Sequence, residues 1–137
     1  MQEGTFLIPE NASSEDVQEL LQKQPCEGIA PILSLVGDKW SMLIVMYLAT
    51  GPRRFNQLKR TIGGITQRML TLNLRKLERH GILSRTVHPT VPPEVEYALT
   101  PLGYSLRGPV LSLGLWVLEN KPELQRAQRA YDSVNAD

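Results

Sequence analysis

Gln67, Arg68, Thr71 and Arg75 follow one another at spacings of one, three and four residues, which sets side chains along one flank of an α-helix. Their chemistry is planar and multidentate. A glutamine amide can donate to and accept from one adenine edge, and an arginine fork can give two hydrogen bonds to guanine. A threonine offers a hydroxyl to a base atom or a methyl to thymine. Between them Leu70, Leu74 and Leu77 recur at four and three. The stretch GGITQRMLTLNLRKLERHG, residues 63 to 81, therefore combines an apolar stripe with a polar, basic flank. It reads either as an ordinary amphipathic helix with a solvated face or as a helix whose polar face reads base edges. Thr66 stands where an N-cap belongs, so its hydroxyl is expected to be occupied and the neighbouring backbone N–H groups to meet phosphate. Arg53, Arg54, Lys59 and Arg60 flank the preceding segment and are candidates for nucleic-acid backbone contact. Lys76 and Arg79, late in the helix, read as solvated charges.

Other chemistries find little support. His80 and His88 are the only histidines and Cys26 the only cysteine. No Ser–His–Asp order, phosphate loop or metal-ligand spacing occurs, so the expectation is a protein without enzymatic activity, metal or cofactor. One cysteine excludes a disulfide framework within the chain and a cysteine-rich zinc site. With 137 residues, 42% hydrophobic and 21% charged, the chain fits one globular domain with flanking helix. The N-terminal MQEGTFLIPE lacks the basic-then-apolar order of a signal peptide. The apolar run from Trp40 to Leu48 is too short to cross a bilayer. The reading is cytoplasmic, with no membrane partner. The net charge of +1 conceals a gradient. Residues 1–38 carry seven acids and one base (−6), residues 39–88 ten bases and one acid (+9), and residues 89–137 six acids and four bases (−2). A basic middle in a near-neutral chain suits a nucleic-acid-binding module, though a solvated charged surface would look alike.

These residues need a scaffold. Ser13-Ser14-Glu15-Asp16 opens a short helix with Val17, Leu20 and Leu21 on one side, ended by Gln24-Pro25. An apolar segment from Ile29 to Val36 leads to Gly37, and Asp38 caps a helix with Trp40, Leu43, Ile44, Tyr47 and Leu48 in helical register. Phe55, Leu58 and Ile62 mark a two-turn helix that leaves through Gly63-Gly64. Ile65 is placed to staple onto Leu70, and Gly81 ends the helix that begins after Thr66. The period then changes to two: ILSRTVHPT and VEYALT read as a hairpin with Pro92 and Pro93 at its tip. Thr100-Pro101 starts another helix, which Gly108-Pro109 is expected to kink or interrupt, and a short last helix holds Leu124, Ala127 and Tyr131. The fold class is thus mainly α with a small β-hairpin (α+β), a winged helix-turn-helix with N- and C-terminal dimerisation helices. In that fold the second helix of the pair enters the major groove. The wing offers Arg85, His88 and Thr90 as polar candidates, while Glu94 would repel phosphate.

GDKW (37–40), GPRRFNQL (51–58), GGITQRML (63–70), LERHGILSR (77–85) and VPPEVEYALTPLGYSL (91–106) together resemble the HxlR family of bacterial transcription regulators, itself similar to a compact MarR-type protein. The likeness covers about residues 26–118. It implies a homodimer, built from the terminal helices, on a pseudo-palindromic double-stranded DNA operator, with a recognition helix at Thr66 to His80 and a wing at Arg85 to Val95. The chain divides accordingly into an N-terminal extension (1–25), the winged helix-turn-helix domain (26–118) and a C-terminal helical tail (119–137). Val110 to Leu118 is too apolar all round for an exposed helix, so Leu113, Trp116 and Val117, with Leu20 from the first helix, are the expected dimer contacts. Two departures from the pattern stand out: Glu94 occupies a place where many members have Arg or Lys, and Cys26 is followed by Glu27 rather than proline. Some members sense oxidants or electrophiles through such a cysteine, so Cys26 is the candidate sensor here, against an inert thiol. A small-molecule effector is also compatible with the layout. The function expected is a transcriptional regulator, in the first place a repressor. The alternative is a winged-helix module that binds another protein, which would need no basic flank.

Overall fold

The computed structural model describes residues 13–22 and 26–135. The expected stop at Gln24-Pro25 lies outside the described residues, as do the side chains of Leu21, Cys26 and Glu27. The elements run α1 (Ser14–Gln22), α2 (Cys26–Gly37), α3 (Lys39–Leu48), β1 (Arg53–Arg54), α4 (Phe55–Ile62), α5 (Gln67–Arg79), β2 (Leu83–His88), β3 (Glu94–Leu99) and α6 (Pro101–Asn135). Among the described residues no single helix is long and apolar enough to cross a membrane, and Ile44, Val45 and Leu48 of α3 are spent on the core.

Local signals account for most boundaries. Ser13 and Asp16 exchange side-chain-to-backbone hydrogen bonds at the start of α1 (3.0 and 3.2 Å). The Asp38 carboxylate accepts the N–H groups of Trp40 and Ser41 at 3.1 and 3.2 Å and starts α3. Gln57 Oε1 accepts the Arg54 N–H at 2.9 Å and fixes the first turn of α4. Gly63 and Gly64 both take positive φ, 65° and 68°, which a residue with a Cβ adopts only under strain, so the α4–α5 turn depends on them. Thr66 Oγ1 accepts the Met69 N–H at 3.1 Å, as its N-cap position requires. At the far end of α5 the Ile82 N–H reaches back to the Leu77 carbonyl at 2.9 Å across Gly81.

The core is one cluster. Ile44, Val45 and Leu48 of α3 meet Leu58 of α4, Leu70, Leu74 and Leu77 of α5, Ile82, Leu83, Tyr97 and Leu99 of the sheet, and Val110 of α6. Ile65 is buried in it beside Leu70, the arrangement of a hydrophobic staple. Truncating any of the fully buried leucines to alanine costs about 2–5 kcal/mol.

Two features differ from the sequence-based expectation. Among the described residues the sheet has three strands, not two, in the order β1-β3-β2, all antiparallel. Arg53 pairs with Tyr97 and Arg54 with Glu96 on one edge of β3, while Leu83 to His88 pair with Leu99 to Glu94 on the other. The second difference is that α6 is a single 35-residue helix. Pro109 and Pro122 lie inside it, and neither interrupts it. Proline removes one i→i−4 bond, and packing holds both sides of Pro109: Gly103 and Val110 are buried and Leu106 packs on the core. Gly103 marks the tightest crossing. A Cβ there would lie 2.1 Å from the Ile82 carbonyl oxygen, so only glycine lets α6 cross the α5–β2 turn.

Candidate nucleic-acid interface

With Leu70, Leu74 and Leu77 fully buried against α3, the opposite flank of α5 has one direction left, outward. Gln67, Arg68, Leu72 and Arg75 are exposed and Thr71 half-buried, and the five line one shallow surface groove. All four sequence-predicted reading residues thus share one concavity. Arg68 and Arg75 form no ion pair with the described residues. Among the described residues their guanidinium groups have no carboxylate to leave before meeting an outside acceptor. Lys76 and Arg79 are exposed further along the helix.

The candidates for backbone contact divide. Lys59 is half-buried and Arg60 exposed, and neither is ion-paired with the described residues. Arg53 is occupied locally: its guanidinium donates to Thr50 Oγ1 at 2.8 Å and to the Pro52 carbonyl at 3.0 Å. Arg54 forms an ion pair with Glu94 across the sheet. Arg54, Arg60 and Gln57 on one side and Pro93, Glu94 and Val95 on the other enclose a cleft of about 580 Å³ between α4 and the wing.

The polar residues of the wing are similarly engaged. Arg85 approaches Glu78 of α5 at 3.8 Å, His88 Nε2 lies 3.2 Å from Glu96, and Thr90 Oγ1 donates to the Pro92 carbonyl at 2.7 Å. The expected repulsion of phosphate by Glu94 needs correction, because the Arg54 guanidinium neutralises that carboxylate. Neither the β1 strand nor this pair was visible in local sequence patterns, since Arg54 and Glu94 stand forty residues apart. Burial pushes the Tyr97 phenol above its usual range, only partly opposed by the nearby Arg85 and Arg75 guanidiniums.

A second surface is apolar. Leu20, Leu113, Trp116 and Val117 are between 43 and 64% exposed in the single chain. Met42, Met46, Tyr47, Leu113, Gly114 and Val117 line part of a groove of about 720 Å³ between α3 and α6.

Residues 35–125 match the family described as HxlR-like helix-turn-helix. The HTH-type transcriptional regulator YtfH of Escherichia coli (strain K12) is 43% identical over 93 residues, 68% of this chain and 74% of that one. The HTH-type transcriptional regulator YdeP of Bacillus subtilis (strain 168) is 40% identical over 105 residues, 74% of this chain and 82% of that one. Among solved structures, the redox regulator HypR in its oxidized form superposes with a TM-score of 0.64 at 42% identity, covering 68% of this chain and 96% of its own.

Proposed function

The chain belongs to the HxlR-like helix-turn-helix family of DNA-binding transcriptional regulators, and from that premise we propose that two copies bind a pseudo-palindromic operator, each laying the outward flank of α5 in a major groove. The observation that carries this is the outward flank itself: Gln67, Arg68, Thr71 and Arg75 line one groove of the surface, with neither arginine ion-paired among the described residues and the opposite face fixed by buried leucines. Gln67 and the two arginines read base edges. Arg60, Lys59 and the backbone N–H groups that follow Thr66 hold phosphates. Arg53, Arg54 and the wing residues Arg85, His88 and Thr90 contribute through position more than through free charge.

The apolar groove and the exposed Leu113, Trp116 and Val117 support a homodimer through α6, with Leu20 of α1 as a further contact, because a monomer would leave this surface in water. The regulator acts in the cytoplasm, as a repressor that leaves DNA when a signal arrives. That signal is an oxidant or electrophile read at Cys26, or a small molecule. Support for the former is likeness to the redox regulator HypR and to the reduced form of the transcriptional regulator YodB of B. subtilis, which is 35% identical with a TM-score of 0.58 and covers 69% of this chain and 92% of its own.

Footprinting on the chain's own upstream DNA tests the DNA reading. Two protected half-sites about one helical turn apart, with affinity falling steeply as salt rises, are expected. Binding without salt dependence, or binding to a protein that survives high salt, would favour the interaction-module alternative. For the signal, Cys26→Ser is expected to stay on DNA in the presence of diamide; release as in the wild type would exclude the thiol.

A further inference from the structure

Apart from the phenol of Tyr97, the polar side chains buried in the core among the described residues are Ser41 of α3 (1% exposed) and Asn73 of α5 (3%). They meet each other. Ser41 Oγ donates to Asn73 Oδ1 at 3.2 Å, and Asn73 Nδ2 donates to the Met69 carbonyl at 2.8 Å. Both ends continue. The Ser41 N–H is held by Asp38, the N-cap of α3, and the Met69 N–H by Thr66, the N-cap of α5. One hydrogen-bonded line therefore joins the start of α3 to the start of α5, the end that carries Gln67 and Arg68. Around it Ile44, Val45, Leu70, Leu74 and Leu77 are aliphatic.

An aliphatic interface accepts alternative packings at modest cost and loses uniqueness before it loses stability. A buried amide–hydroxyl pair does not. One residue of slip turns a helix by about 100°, which would strand Asn73 and Ser41 in an apolar environment with their hydrogen bonds unmade. Removing both polar groups together leaves nothing unsatisfied and costs little stability. We infer that Ser41 and Asn73 form a positioning pair for base reading: they fix the rotation and register of α5 on α3, and so decide which base edges Gln67, Arg68, Thr71 and Arg75 meet. This rests on the DNA-recognition reading above.

The test uses the full chain and two duplexes, one selected from a random-core pool by the wild-type protein and one scrambled to the same composition. The double variant Ser41→Ala/Asn73→Leu is expected to melt within a few degrees of wild type and to keep its affinity for the scrambled duplex. Its preference for the selected duplex should fall about tenfold, the worth of one lost bidentate base contact. A purely structural role would instead lower melting temperature and both affinities in parallel, and that result overturns the inference, as does an unchanged preference. Ser41→Ala alone removes one oxygen and adds no volume. It must lower preference in the same direction, and an undiminished preference there overturns the inference even where the double variant does not fold. A wild-type chain that shows no preference for any duplex sinks the recognition reading, and this inference with it.

Discussion

Arg68 and Arg85 are both exposed arginines in the basic middle of the chain, and they are held differently. Arg68 leans into an open groove with no carboxylate partner among the described residues, and Arg75 two turns on is in the same state. Arg85 faces Glu78, His88 faces Glu96, and Arg54, at the edge of the same sheet, faces Glu94. On the outward flank Arg68 and Arg75 have no carboxylate partner among the described residues, whereas Arg85 faces a carboxylate of α5 and Arg54 one of β3. A net +9 over residues 39–88 therefore overstates the charge available to a polyanion. What matters is where the unpaired part is concentrated, and that is the outward side of α5 with Arg60 and Lys59 behind it. In the proposed DNA complex, base reading and phosphate attraction fall mainly on one element, with the wing acting as a brace.

Reversing a free cation should do most to break this contrast. Arg68→Glu is expected to reduce affinity for a selected duplex by about 100-fold or more. Arg126→Glu, which removes an exposed pair with Glu123 on the tail of α6, should change it by no more than about twofold. Equal losses in a fluorescence-anisotropy titration would show that bulk charge, not the groove, controls binding. Next in size, Arg75→Ala is expected to cost about 1–3 kcal/mol on the selected duplex and to relax preference at one position of the half-site, read by competition with single-substituted duplexes.

The wing side is sharpened by freeing a cation instead. Glu94→Gln releases Arg54, so non-sequence-specific affinity should rise a few-fold and the slope of log K against log salt should steepen by about one phosphate's worth. An unchanged slope would mean that Arg54 cannot reach DNA even when released. The smallest effect concerns Tyr97 beneath the wing. Its phenol is raised above the usual value by burial, so the folded state keeps its proton longer than the unfolded chain does. Stability from this source is complete below about pH 10 and is lost as pH rises further. Tyr97→Phe should shallow the alkaline decline in melting temperature.

Much of this arrangement was legible in the sequence because it is local. The caps at Asp38 and Thr66, the two-glycine turn, the leucine stripe of α5 and the change of period at Leu83 are each written within a few residues of where they act. The outward grouping of Gln67, Arg68, Thr71 and Arg75 follows from helical spacing alone. What escaped is non-local. A two-residue strand of arginines has no alternation to betray it, and its partners on β3, Tyr97 and Glu96, lie more than forty positions away in the chain. The same distance hid the pairing of Arg54 with Glu94, which reverses the meaning of both residues. Asn73 gave no signal because its polar side chain sits within an apolar stripe, and only the fold shows Ser41 opposite it. At Pro109 the interruption that the local signal allowed does not occur, because packing on both sides offsets the lost hydrogen bond.

Gly103 also sets a mechanical relation. It is the point where α6, 35 residues long, crosses closest to the root of the wing. Treated as a rod of about 1.5 Å per residue, the portion beyond that crossing reaches nearly 50 Å, so swinging it by about 5° moves its tip by roughly 4 Å. The fulcrum lies beside Ile82, one residue from where β2 begins. In the proposed dimer, the spacing between the far ends of two such rods is geared to the pitch of the two wings.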